Sequence, residues 1–370
     1  MSLRSLLLAP FAVVAIACAG AGASTSTTSV AVTDDAATVI ADTIVSATST
    51  TEVPAASSSS TSPPTSSTAP PSSPAAVAPA VPAIGETIEG SIVTPDGRTR
   101  TYRLYVPSKL PTGPVPLLVA LHGGTGWGAQ FQRNSGFDGL AEANGFLAVF
   151  PDGTGVGADG TDLRTWNAGY CCGSAARNDV DDVAFIDLLI DTIEADYSVD
   201  PTRVFAAGHS NGGMLSYRLA CELSDRIVAV GLQAGSLGVD ACDPAQPVSL
   251  LHIHGTEDAN HPIEGGVGPN SISGVSYRSA DESVRTVAAA LACSIDPATS
   301  VSPDNPDLQY STWSECDGGV EVQLLAVTGA THAWMGHVPS NPSADPAYAD
   351  LDASLAVLEF LLAHPRPTPA

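Results

Sequence analysis

Basic residues are scarce in this sequence. Fourteen Lys and Arg stand against 39 Asp and Glu, for a formal charge of −25 at pH 7, and Lys109 is the only lysine. A surface this acidic repels phosphate backbones and anionic lipid headgroups, which excludes nucleic-acid binding and charge-driven membrane binding. No CxxC occurs anywhere, and adjacent Cys171-Cys172 is not a zinc spacing, so no metal site is expected. No apolar run is long enough for a permanent membrane-spanning helix. No internal repeat is visible, which argues against a solenoid or propeller.

Charged residues are also thin over the first 83 positions, which are mostly Ala, Ser, Thr, Pro and Val with Arg4 as their one basic residue. Such a stretch buries too little to offset its ordering entropy, which leaves roughly 280 residues for one globular domain. Arg4 followed by the apolar run Leu6 to Ala17 reads as an export leader over 1–23. Two processing readings stand. Ala15-Ile16-Ala17-Cys18 resembles a lipoprotein box, in which Cys18 would become a lipid-anchored first residue; the alternative is cleavage after Ala21-Gly22-Ala23. Residues 24–83, with their Ser run and Pro-Pro pairs, read as an extended, solvated tether, and 84–370 as the folded domain. The expected location is therefore extracellular, free or anchored.

Export makes the cysteines legible. Apart from Cys18, six remain, an even set that reads as three disulfides with fifteen possible connectivities. Cys293 closes a helix-like segment and Cys316 precedes a late strand, so these two are expected to pair. Vicinal Cys171 and Cys172 are poorly placed to bond each other, so each is expected to take one of Cys221 and Cys242, in an open order.

Beyond the tether, short apolar runs alternate with helix-period segments, the pattern of an α/β fold with a mostly parallel sheet. Strands are expected at Thr101 to Val106, Val115 to Leu121, Phe146 to Phe150, Arg203 to Ala207, Ile227 to Leu232, Val248 to Ile253 and Val320 to Val327. Helices are expected at Phe131 to Ala143, Asp181 to Ala195, Asn211 to Leu223, Asp281 to Ala292 and Tyr348 to Leu362. Only about fifteen residues separate the strands ending near Leu232 and starting at Val248, too few for a helical lid.

The chemistry centres on Gly208-His209-Ser210-Asn211-Gly212, which follows a strand and opens a helix, the context of a nucleophile elbow. A serine hydroxyl needs a base and an orienting acid. Asp258 and His332 each lie just past a strand, on the edge where open α/β sheets place their sites. Glu257 and Glu264 are rival acids, and His337 a rival base. Gly124, in the loop after Leu121-His122-Gly123, and Asn211 are the expected oxyanion donors. His122 is expected to brace that loop. His252, His254 and His261 admit a metal reading, against the plainer one of core histidines supporting the site. Trp127, Trp166 and Trp334 lie near these motifs and are expected to wall a flat apolar pocket.

The ordered motifs LHGG, FPDG, WNAGYCCG, VDDVAFI, GHSNGGM, HIHGTED and THAW resemble secreted esterases of the polyhydroxybutyrate depolymerase-like and feruloyl esterase-like group, relatives of carbohydrate esterase family 1. The resemblance covers roughly 85 to 364. It implies an α/β-hydrolase fold without a large lid, and hydrolysis of carboxylic esters with no cofactor, with Ser210, Asp258 and His332 matching the family triad. It also implies an ester partner, polymeric or plant cell-wall derived. Gly124 stands where many relatives have Cys, and the residues after His332 and Asp258 depart from the family in ways that bear on pocket shape. Acyl transfer to a sugar acceptor, or a tethered binding protein without activity, are the alternatives. Oligomeric state is not legible.

Overall fold

In the computed structural model, residues 85–157, 160–339 and 345–367 are described. The leader expected at 1–23, its lipoprotein box at Cys18 and the tether expected at 24–83 lie outside the described residues. In chain order the first strands are β1 (Glu86–Val93), β2 (Thr99–Val106), β3 (Val115–Leu121), β4 (Leu147–Pro151), β5 (Thr154–Val156) and β6 (Asp162–Thr165). Then follow β7 (Val199–His209), β8 (Ala229–Gln233), β9 (Ser249–Gly255), β10 (Ala298–Val301), β11 (Leu308–Trp313) and β12 (Val322–Val327). The helices are α1 (Gly128–Ser135), α2 (Phe137–Asn144), α3 (Gly173–Arg177), α4 (Asp182–Asp196), α5 (Asn211–Glu222), α6 (Ala280–Ala290) and α7 (Ala353–Ala363).

β5 and β6 form a separate hairpin, and the other strands make one sheet in the order β1-β2-β4-β3-β7-β8-β9-β12-β11-β10. The centre, from β4 through β12, is parallel; antiparallel strands flank it on both sides. Parallel strands need crossovers, and the helices that supply them cover both faces. Strand alternation divides the core accordingly. Leu117, Val119 and Leu121 of β3 join one cluster with α4, α5 and α6. Leu118 and Ala120 join the other, with α1, α2 and α7. All seven residues of β3 are buried, as its uninterrupted apolar run requires.

The single helix expected over 131–143 is two. Gly136 adopts φ 65°, its N–H closes α1 on Gln132, and α2 starts afresh beyond it. No helix intervenes between β8 and β9 among the described residues, so no lid is inserted there.

Three disulfides are present among the described residues. Cys293 bonds Cys316, tying the end of α6 to the turn that leads into β12. The expected partners of Cys171 and Cys172 are corrected: Cys221 bonds Cys242, and Cys171 bonds Cys172. Cys221, in the last turn of α5, and Cys242, in the loop after β8, have Cα atoms 4.8 Å apart. That separation suits a disulfide, so these two satisfy each other, and the vicinal pair at the start of α3 is left to itself.

One buried ion pair carries the framework to the site. Arg100 on β2 donates to Asp182 at 2.7 Å, and both side chains are almost completely buried. The other oxygen of Asp182 accepts the Asn167 N–H at 2.7 Å, while the guanidinium lies 4.0 Å over the Phe185 ring. The pair thereby pins the segment beside Trp166. Removing one member of such a pair strands the other as an uncompensated charge. Arg100→Met should therefore lower the unfolding free energy by about 3–5 kcal/mol, read as a fall in denaturant midpoint. Arg100→Met with Asp182→Leu should recover part of that loss. A single variant with an unchanged midpoint would contradict this account.

Candidate active site

The elbow is built by close backbone approach. Ser210 sits between β7 and α5 at φ 54°, a left-handed value that a non-glycine residue adopts at a cost. Such a turn leaves no room for neighbouring side chains. A Cβ on Gly208 would lie 2.3 Å from the Gly212 carbonyl oxygen. A Cβ on Gly212 would lie 2.3 Å from the Leu121 oxygen and 2.5 Å from that of His122. The two glycines of the motif are thus steric requirements, and Gly212 fixes α5 against the end of β3. The Ser210 N–H is held by Gln233 O on the neighbouring strand at 2.9 Å.

Asp258 and His332 arrive from the ends of β9 and β12, which pair in parallel. His332 Nε2 lies 3.0 Å from Ser210 Oγ, and His332 Nδ1 lies 2.7 Å from Asp258 Oδ2. Asp258 Oδ1 accepts the backbone N–H groups of Asn260, at 2.9 Å, and His261, at 2.8 Å. Burial alone would push this carboxyl up, but hydrogen bonds from His254 and His332 and their charge outweigh it and hold it well below the ordinary range. The rivals lie elsewhere: Glu257 and Glu264 are exposed, and His337 pairs with Asp352 at 3.1 Å.

Gly124 lines the same cleft as Ser210. A Cβ built on it would meet Asn211 Cβ at 3.7 Å, so the two residues stand side by side. Asn211 is the first residue of α5, where backbone N–H groups lack intrahelical acceptors. Its side chain grips the Trp166 backbone twice, accepting from N at 2.7 Å and donating to O at 3.0 Å. His122 braces the loop: Nδ1 donates to Gly123 O at 2.7 Å, and Nε2 accepts the Gly153 N–H at 2.9 Å.

A cleft of about 810 Å³ opens over this edge. Of the three tryptophans expected to line it, Trp334 does. Trp166 is fully buried, donating its indole N–H to His122 O at 2.9 Å, and so braces the elbow from behind. Trp127 precedes α1, partly exposed and away from the cleft. The apolar wall comes instead from residues that motif reading missed, among them Tyr170, Ile272, Tyr277 and Val338. Two further supports were also missed. Gln233 holds the His332 loop, donating to Ala333 O at 2.8 Å and accepting the Met335 N–H at 3.0 Å. His209 donates Nε2–H to His332 O at 2.8 Å. Position 209 inside the motif was the only sequence signal for it.

A mostly parallel sheet covered on both faces, with a serine elbow, an acid and a histidine at the C-terminal strand edge, defines an α/β-hydrolase. A family model described as "Putative esterase" matches residues 94–274. A bifunctional acetylxylan esterase/xylanase from Neocallimastix patriciarum is 27% identical over 248 residues, 66% of this chain and 32% of that protein. Feruloyl esterase B from Piromyces equi is 31% identical over 226 residues, 59% of this chain and 40% of that protein. The chain thus spans less than half the length of both relatives. An acetyl xylan esterase structure from Aspergillus awamori shares the fold, with a TM-score of 0.50 at 16% identity over 68% of this chain and 95% of that one. Over these stretches the chain is similar to esterases, and it shares the α/β-hydrolase fold.

Burial makes the site sensitive to acid. It lowers the pKa of His122 to about 4 and that of His209 to about 3, and it holds His252 and His261 well below their ordinary value. In the unfolded chain each titrates near 6.5. Above about pH 6.5 both states are neutral at these positions and stability is fully present. Below it the unfolded chain takes up protons that the fold refuses, so stability falls until the folded values are reached. The three most buried, His122, His252 and His261, should each contribute a slope of at most about 1.4 kcal/mol per pH unit. Urea unfolding at pH 8, 6, 5 and 4 should show a monotonic loss beginning near 6.5. A flat profile from pH 7 to 4.5 would overturn this reading.

Proposed function

We propose that this protein is an exported serine carboxylesterase acting through Ser210, His332 and Asp258. The observation that carries the reading is the continuous relay from Ser210 Oγ through His332 to a buried carboxylate, at 3.0 and 2.7 Å. His332 Nε2 takes the hydroxyl proton as Ser210 Oγ attacks the ester carbonyl carbon. The N–H groups of Asn211 and Gly124 receive the developing oxyanion, and preorganised donors there strengthen as charge accumulates. Asp258 offsets the charge of the imidazolium. His332 then protonates the departing alcohol, leaving an acyl group on Ser210, and a water activated by the same histidine releases the acid.

The reading of the natural ester draws on the cleft and the relatives. An open, lidless cleft with an apolar wall suits compact acyl groups: acetyl, butyryl, hydroxycinnamoyl or short hydroxyalkanoate. Relatives named as feruloyl and acetylxylan esterases support an acyl ester of a plant cell-wall polymer as substrate. The remaining assignments in this proposal are an export leader over 1–23, an optional lipid anchor at Cys18 and a spacer over 24–83. The disulfides among the described residues suit an oxidising compartment.

Two measurements test the proposal. Ser210→Ala should fold normally and lose roughly 10⁶-fold in kcat, and Asp258→Asn roughly 10⁴-fold; a wild-type rate from Ser210→Ala would end the assignment. In a panel of p-nitrophenyl acetate, butyrate and palmitate with methyl ferulate, the short and aromatic esters should lead. A preference for palmitate, with a rate jump above the micellar threshold, would contradict the open cleft.

A further inference from the structure

Behind Asp258 runs a line of buried polar groups for which the proposed reaction has no step. Tyr217 on α5 and His252 on β9 are completely buried, and His254 nearly so. Tyr217 Oη lies 2.9 Å from His252 Nδ1, and His252 Nε2 lies 2.9 Å from His254 Nδ1. His254 Nε2 lies 2.7 Å from His261 O and 3.5 Å from Asp258 Oδ2.

Donor and acceptor chemistry gives this chain one direction. A carbonyl only accepts, so His254 Nε2 must carry a proton. With His254 neutral, its Nδ1 accepts, so His252 Nε2 must donate. His252 Nδ1 then accepts, and the Tyr217 hydroxyl donates to it. Every ring nitrogen in the line is used. Protonating His254 would reverse both inner bonds, and Tyr217 O–H, now accepting from His252, would lose its acceptor in the core. Burial also holds Tyr217 well above its ordinary value and His252 well below. The line therefore has a single well-satisfied state, with all its donors aimed at the turn that carries Asp258.

We infer that His254 is a positioning residue of the reaction: its Nε2–H, locked in one tautomer by Tyr217 and His252, holds Asp258 in the place and charge state that His332 requires. The hold acts by two routes. Nε2–H faces Asp258 Oδ2, the oxygen that receives His332. It also clamps the carbonyl of His261, whose own N–H is bonded to Asp258 Oδ1. The inference rests on the triad reading above.

The test compares His254→Leu, His254→Gln and Tyr217→Phe with wild type and with Ser210→Ala, by melting temperature, kcat, KM and the pH profile of kcat/KM. The titratable groups facing His254 are Asp258, His252, His261 and His209, with Tyr217 reached through His252 and His332 through Asp258. His254→Leu should lower kcat about 10- to 100-fold at nearly constant KM, as expected when a catalytic group is displaced without loss of substrate contacts. The acidic limb should move to lower pH, because an imidazolium facing a loosened carboxylate keeps less of its counter-charge. His254→Gln restores a donor at the same reach and should recover most of the rate and the limb. Tyr217→Phe should give a smaller change of the same sign. A folded His254→Leu with wild-type kcat and an unmoved limb overturns the inference. If His254→Leu fails to fold, the same result from Tyr217→Phe overturns it. An active Ser210→Ala would instead reject the triad reading.

Discussion

A carboxylate taken out of water survives as a charge only if donors replace the water around it. Asp258 meets that condition with two backbone N–H groups on one oxygen and His332 on the other, backed by His254. The rest of the site follows from that demand. The chain after β9 must turn back on itself so that Asn260 and His261 can present their N–H groups. β12 must run parallel beside β9 so that His332 reaches the same point from its own strand end. The nucleophile at the end of β7 must then lie within reach of the far side of one imidazole ring.

The same demand explains why the His332 loop is held from so many directions. An imidazole that bonds Asp258 at one nitrogen and Ser210 at the other tolerates little rotation. Its backbone is accordingly fixed by His209 at the His332 carbonyl and by Gln233 at Ala333 and Met335. Trp334, in the same loop, donates its indole N–H to Ser354 at 2.9 Å and packs edge-on against Phe131 at 5.3 Å. Charge complementarity at the centre of the site thus draws on packing contacts from α1 and α7, on the opposite side of the sheet from α5 and α6.

Local and periodic signals made much of this legible. The uninterrupted run Val115–Leu121 is a strand of the same bounds, because burial on both faces removes the need for polar interruption. The elbow was readable because glycine spacing and strand-to-helix context arise from one steric fact, the approach of Gly212 to Leu121 and His122. Elements without an apolar run escaped. β10 is Ala298–Val301, exposed throughout, and β11 pairs beside it through Ser and Thr, so neither carries the pattern of a buried strand. Pairwise facts of long sequence separation escaped as well. Nothing local in Gln233 indicates that it meets Ala333, and the cysteine partners depended on which Cα atoms the fold brings near. Trp166 sat beside the motifs in sequence, but its task is to brace the elbow from inside the core.

The cleft wall and the acid turn are one piece of chain. Between β9 and α6 the segment passes Asp258, Asn260 and His261 and then supplies Ile272 and Tyr277 to the cleft. Tyr277 stacks on His261 with ring centroids 3.7 Å apart, while the His261 N–H holds Asp258 and its carbonyl receives His254. A change of wall at Tyr277 is therefore felt one residue from the carboxylate, through a ring whose backbone bonds that carboxylate directly. Ile272 and Val338 stand at the mouth with most of their surface in solvent and no such coupling. The rim can change while the hydrogen bonds joining Ser210, His332 and Asp258 keep their distances, whereas the wall beside His261 cannot. The cleft thus divides into an outer part uncoupled from Asp258 and an inner part tied to it, which in the proposed esterase would separate the choice of ester from the chemistry.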